Sequence, residues 1–143
     1  MIGFIKKLAA KIWAKNHVKQ TEYYKNNAEQ LQEKLLLDMV KSAEKTLFGL
    51  QHNFSEIKSV EDFQKNVKIC DYEDLKPFIE KIKHGDKNIL WQEKPEYFAK
   101  TSGTTSGTKY IPLTKEGMDY QVKAAQSALF HYIAQKNNAD FVN

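Results

Sequence analysis

The stretch that most limits the fold is "YFAKTSGTTSGTKYIPL", residues 97 to 113. Two short apolar runs, Tyr97 to Lys100 and Lys109 to Leu113, flank a segment of hydroxyl side chains and two glycines. Both flanks read as strands or extended segments, and Pro112, which has no N–H, places the second at an edge or a strand end. The chain therefore has to hold a Ser/Thr/Gly loop between two extended segments, and it cannot be a purely helical bundle.

The residues before the loop carry helical periodicity. From Tyr23 to Phe48 the positions Ala28, Leu31, Leu35, Met39, Ala43 and Leu47 recur every three or four residues, which predicts one long amphipathic helix. Gly49 stands where a left-handed cap would close it. Ser59 opens a short helix through Phe63, with Asp62 facing the free amides of its first turn. Asp74 is expected to cap a further helix, with Pro77 in the first turn and the end at Gly85. "NILW", Asn88 to Trp91, reads as another extended run. After the loop, Thr114 caps a last helix with an expected core face of Met118, Val122, Ala125, Leu129 and Ile133. The length of 143 residues gives about one domain with one ordinary core.

Charge narrows the partners. Five lysines and no acid fall in residues 1 to 20, so the rest of the chain is close to neutral despite a net charge of +4. All 22 basic residues are lysine, and without arginine there is no bidentate fork for guanine, so nucleic acid is not an expected partner. In "MIGFIKKLAAKIWAKNHVKQ" Ile5, Leu8, Ile12 and Trp13 recur at helical spacing between lysines, a basic amphipathic helix. It packs on its own protein or lies on a membrane surface, and it is too interrupted to span one. The single cysteine, Cys70, forms no disulfide framework and suits a cytoplasmic, reducing setting. Cys70 with His17, His52, His84 and His131 gives no metal-ligand spacing, so no protein metal site is expected.

The loop itself has a chemical logic. Gly103 and Gly107 let a ligand approach the main chain, while Thr101, Ser102, Thr104, Thr105, Ser106 and Thr108 offer hydroxyl donors. Successive amides in such a turn form an anion nest, and Lys109 adds a full positive charge at its edge. The segment is suited to a polyphosphate, yet an ordinary surface loop has the same composition. It is neither a G-x-x-x-x-G-K-[ST] loop, because Thr108 precedes Lys109, nor a G-x-G-x-x-G fingerprint.

"TSGTTSGTKYIP" resembles the phosphate-loop signature of adenylate-forming enzymes, in the form found in the auxin-responsive-promoter family of acyl acid-amido synthetases. "SVEDFQKNVKICDYEDLKPFIEKIKHGDKNILWQEKPEYFAK" and "NAEQLQEKLLLDMVKSAEKTLFG" resemble the segments that precede that loop, so the likeness covers about residues 20 to 135. The resemblance implies an α/β fold, α+β in the piece at hand: the helix-rich N-terminal part of the large domain of an adenylate-forming enzyme. Residues 1–20 would be a leading helix, and 21–143 an incomplete adenylation domain with its phosphate loop at 101–109.

The implied reaction joins a carboxylate oxygen to the α-phosphorus of ATP, with Mg²⁺, releasing pyrophosphate. An amine or amino acid then displaces AMP to give an amide. By the same resemblance Thr101, Ser102, Gly103, Thr104, Thr105, Ser106 and Gly107 would bind ATP, with the β- and γ-phosphates on Ser102 to Thr105 and Gly107. Lys109 would act catalytically by neutralising the leaving pyrophosphate. Family members are several times longer, and the acyl and adenine pockets would follow Asn143. The chain reads as an N-terminal portion that does not adenylate by itself. Two other readings stay open, a non-catalytic helical interaction or regulatory module that keeps the loop, and a peripheral membrane protein led by residues 1–20.

Overall fold

The computed structural model describes residues 2–102 and 107–140. Six helices and two strands follow in the order α1 (Ile2–Asn26), α2 (Ala28–Ala43), α3 (Leu47–Gln51), α4 (Val60–Asn66), α5 (Tyr72–Lys83), β1 (Tyr97–Lys100), β2 (Tyr110–Leu113) and α6 (Lys115–Lys136), with a 3₁₀ turn at Phe54–Glu56. The protein is thus helix-rich with one antiparallel strand pair among the described residues. Two compact units are built from it, one from residues 1–31 and 118–143, the other from residues 32–117.

In the first unit α1 and α6 meet through small and polar side chains. Ala14, Ile133 and Ala139 are buried, with Ala10, Phe130 and Ala134 packed on them. His17 Nε2 shares a 2.7 Å hydrogen bond with Ser127 Oγ, and Thr21 Oγ1 lies 3.2 Å from His131 Nε2. The expected apolar faces point elsewhere. Ile5, Leu8, Ile12 and Trp13 of α1 are exposed, as are Val122 and Leu129 of α6. Only Ile133 of the expected α6 face is fully buried. Alanines at 10, 14 and 134 let the two backbones approach, and the hydroxyl and imidazole groups satisfy one another inside the seam.

The one long helix expected over residues 23–48 is interrupted twice. It breaks at Asn27, whose side-chain amide donates 2.8 Å to the Tyr23 carbonyl that its own backbone N–H also seeks. It breaks again after Ala43. Thr46, with extended backbone, accepts the Gly49 amide at 3.0 Å and donates to the Ala43 carbonyl at 2.8 Å, ending α2 and starting α3 with one hydroxyl. Gly49 is therefore inside α3 rather than a left-handed cap, and the reason for glycine is proximity: a Cβ there would stand 2.1 Å from the Ala43 carbonyl oxygen.

Asn88 to Trp91, expected as a strand or extended run, forms no strand. Its carbonyls serve α3 instead, because the Leu47 N–H donates to Asn88 O at 2.7 Å and the Phe48 N–H to Ile89 O at 3.0 Å. Those are two of the amides a helix start leaves unpaired. Asn88 and Glu93 take positive φ, and the turn is closed by Glu93 N–H on Asn88 Oδ1 at 2.7 Å. The core below comprises Val40, Ala43, Phe54 and Ile57, with Leu36, Leu37, Phe48, Phe63, Val67 and Trp91 against it. Ser59 caps α4 by accepting the Asp62 amide, as the sequence predicts.

For α5 the cap is Asp71, three residues before the expected Asp74. Asp71 accepts the amides of Glu73 at 2.8 Å and Asp74 at 3.2 Å, while Asp74 accepts the Asp71 amide at 2.9 Å. This reciprocal capping box moves Pro77 from the first turn into the helix, where it removes the N–H that would meet the Glu73 carbonyl. The helix ends at the expected place, with Gly85 at φ +102°.

Candidate functional site

Strands β1 and β2 form an antiparallel hairpin with Tyr97 opposite Leu113, Phe98 opposite Pro112, Ala99 opposite Ile111 and Lys100 opposite Tyr110. One further pair closes it. Thr101 N–H donates to the Lys109 carbonyl at 3.1 Å, and the Lys109 N–H donates to Thr101 Oγ1 at 3.3 Å. The two ends of the hydroxyl-rich segment, Thr101 and Lys109, are thereby held together. Thr101 spends its amide and one hydroxyl lone pair on that closure, and its hydroxyl proton can still donate.

Of the residues singled out from the sequence, Thr101, Ser102 and Thr108 are exposed at the loop and Lys109 is half-buried at its root. Gly107 has φ +79°, a left-handed backbone that glycine favours, with no described atom within 4 Å of where a Cβ would be. Gly103, Thr104, Thr105 and Ser106 lie outside the described residues. Exposed hydroxyls, an open left-handed glycine and a lysine at the closure suit a polyanion. Among the described residues no group of His, Cys, Asp or Glu is arranged to hold a metal ion.

Residues that the sequence reading did not single out support the root from α5. The Tyr110 N–H donates to Tyr72 Oη at 2.9 Å. The Lys109 ammonium lies 5.2 Å from the centre of the Tyr72 ring, and the Lys83 ammonium 4.6 Å from that of Tyr110. Lys83 is itself held by both Glu80 oxygens, at 2.8 and 3.0 Å, which raises its pKa above the ordinary lysine value. The signal was present in "DYED", where a tyrosine at the first position of a capped helix has a fixed backbone from which to reach out. A cleft of about 530 Å³ is lined by Lys41, Glu44, Lys45, Thr46, Asn88 and Gln92 among others, and none of its lining residues belongs to the loop.

A hairpin closed at Thr101 and Lys109 and supported by α5 is what the described candidate residues form, and comparison with known proteins shows where such a segment belongs. The model of the GH3 family N-terminal domain matches residues 17–141, and the chain belongs to that family. It is 28% identical over 107 residues to indole-3-acetic acid-amido synthetase GH3.5 of Arabidopsis thaliana, covering 73% of the chain and 18% of the relative. It is 36% identical over 64 residues to GH3.15 of the same plant, also an indole-3-acetic acid-amido synthetase, covering 43% and 11%. A third relative there, 4-substituted benzoates-glutamate ligase GH3.12, is 29% identical over 103 residues, covering 71% and 18%. The chain thus spans less than a fifth of the length of these relatives. The resemblance read from the loop and its preceding helices is shown, for the N-terminal part of the family. No helix among the described residues is long and apolar enough to cross a membrane.

Proposed function

We propose that this chain is the triphosphate-binding N-terminal portion of an ATP-dependent acyl acid-amido synthetase. The observation that supports the reading is the closure at Thr101 and Lys109, which pairs the two ends of the hydroxyl-rich segment and sets a lysine at one of them. In that role Ser102, Gly103, Thr104, Thr105 and Gly107 offer hydroxyls and backbone amides to the β- and γ-phosphates, and Thr101 and Ser106 complete the ATP-binding set. Lys109 places its charge where pyrophosphate departs as a substrate carboxylate takes over the α-phosphorus. Mg²⁺, when bound, would supply further neutralisation of the phosphates. The acid and the amine or amino acid would be selected by parts of the protein beyond these residues, and residues 1–143 alone are expected to show no adenylation.

The test is acid-dependent exchange between ATP and pyrophosphate, across a panel of carboxylic acids, by the longest open reading frame that contains the chain. Exchange suppressed by both Thr104→Ala and Gly103→Val supports the reading. A frame that gives no exchange with any acid refutes it and leaves the loop a binding element.

A further inference from the structure

Resting on the triphosphate reading of the loop, we infer that Tyr72 is the positioning residue for Lys109, holding the loop root to α5 by its hydroxyl and its ring at once. The hydroxyl oxygen accepts the Tyr110 amide at 2.9 Å, a partly buried bond between residues 38 positions apart. Tyr110 is the first residue of β2, so this bond fixes the strand one residue beyond the lysine. The ring of the same tyrosine lies 5.2 Å from the Lys109 ammonium. A lysine side chain has four rotatable bonds and is strongly hydrated, so backbone closure at Thr101 leaves its charge free to wander. An electron-rich face beside the ammonium restricts that search without neutralising the charge, as a carboxylate would.

The support is rigid on the α5 side. Tyr72 is the first residue of that helix, directly after the Asp71 cap, and the Asp71–Asp74 box locks the turn it stands on. Three turns further along, Lys83 lies over the Tyr110 ring from the other end of α5, anchored by Glu80. The start of β2 is therefore gripped at two points of one helix, and Tyr72 is the point that also touches Lys109. The Lys109–Tyr72 pairing presets the cation for an arriving polyphosphate, which a freely rotating lysine would have to order on binding.

The test uses the longest open reading frame containing the chain, with Tyr72→Phe, Tyr72→Leu, Lys109→Met and the Tyr72→Leu/Lys109→Met pair. Deuterium exchange of the Tyr110 amide should rise about tenfold in Tyr72→Phe and Tyr72→Leu, because both lose the acceptor. In ATP–pyrophosphate exchange Tyr72→Leu should lower kcat about tenfold, and Tyr72→Phe, which keeps the ring, about threefold, with KM for the acid unchanged. In the Lys109→Met background, Tyr72→Leu should cost less than about twofold more. An unchanged Tyr110 amide, or a Tyr72→Leu loss that persists in full without Lys109, overturns the inference. A wild type inactive with every acid refutes the triphosphate reading, and with it the role of Lys109 that this inference serves, whereas the amide measurement still reports on the hold itself.

Discussion

Gly49→Ala should strongly destabilise the protein, against the usual rule that alanine in place of a helical glycine helps by roughly 0.5–1 kcal/mol. The added Cβ would stand 2.1 Å from Ala43 O, 3.0 Å from Ala43 C and 3.1 Å from Glu44 O, all backbone atoms that no rotamer change can move. Ordinary contact requires more than an ångström of retreat. The Ala43 carbonyl is not free to retreat, because it accepts both the amide of Thr46 at 3.0 Å and its hydroxyl at 2.8 Å. Moving α3 instead strains the Leu47 and Phe48 bonds to Asn88 and Ile89. Overpacking of this kind costs about 3 kcal/mol net. With about 2.1 cal/mol/K of unfolding entropy per residue, that lowers Tm by roughly 10 °C for a chain of this size. Thermal melts followed by circular dichroism give the answer, with Gly3→Ala as control, since a Cβ at Gly3 meets nothing within 4 Å and should be neutral or slightly stabilising. A Gly49→Ala protein melting within about 2 °C of wild type would show that the turn yields, and the close-approach argument would fail.

Asp71→Ala should cost about 1–2 kcal/mol by removing the acceptor for the Glu73 and Asp74 amides, read as a drop in urea midpoint and faster hydrogen exchange at both amides. The Asp62 carboxylate accepts the Lys58 amide at 3.1 Å and is aided by Ser59, which holds its pKa below the usual aspartate value. A depressed folded-state pKa gives stability that is present above the unfolded value and lost as pH falls through the folded one. The Tm gap between wild type and Asp62→Asn should accordingly narrow from about pH 5 to about pH 2, and a gap that stays constant would count against the bond.

Several elements were legible because their causes are local. Ser59 and Thr114 cap the helices assigned to them, since a hydroxyl three residues before an amide needs no tertiary partner. The hairpin flanks were legible from composition and Pro112, and the family from the loop and the helices before it. Asp71 was misplaced in favour of Asp74 because both belong to one reciprocal cap, and spacing alone does not say which carboxylate leads.

The sequence by itself determined the helix-rich class and the two extended runs, because periodicity, capping and turn chemistry act over a few residues, and it carried the family through the likeness of its loop and preceding segments. Only the tertiary structure decided which faces are inside. Residues 23–48 carry one continuous apolar period, yet Thr46 hydroxyl bonds and carbonyls from Asn88 and Ile89 make a break after Ala43 the better state. Likewise α1 buries Ala14 and half-buries Ala10, His17 and Thr21 rather than its large apolar residues, because close approach and hydrogen bonding to Ser127 and His131 set that seam. Tyr72 meets Lys109 and Tyr110 across more than thirty residues of chain, a pairing created by the docking of β2 on α5 and invisible to any local pattern.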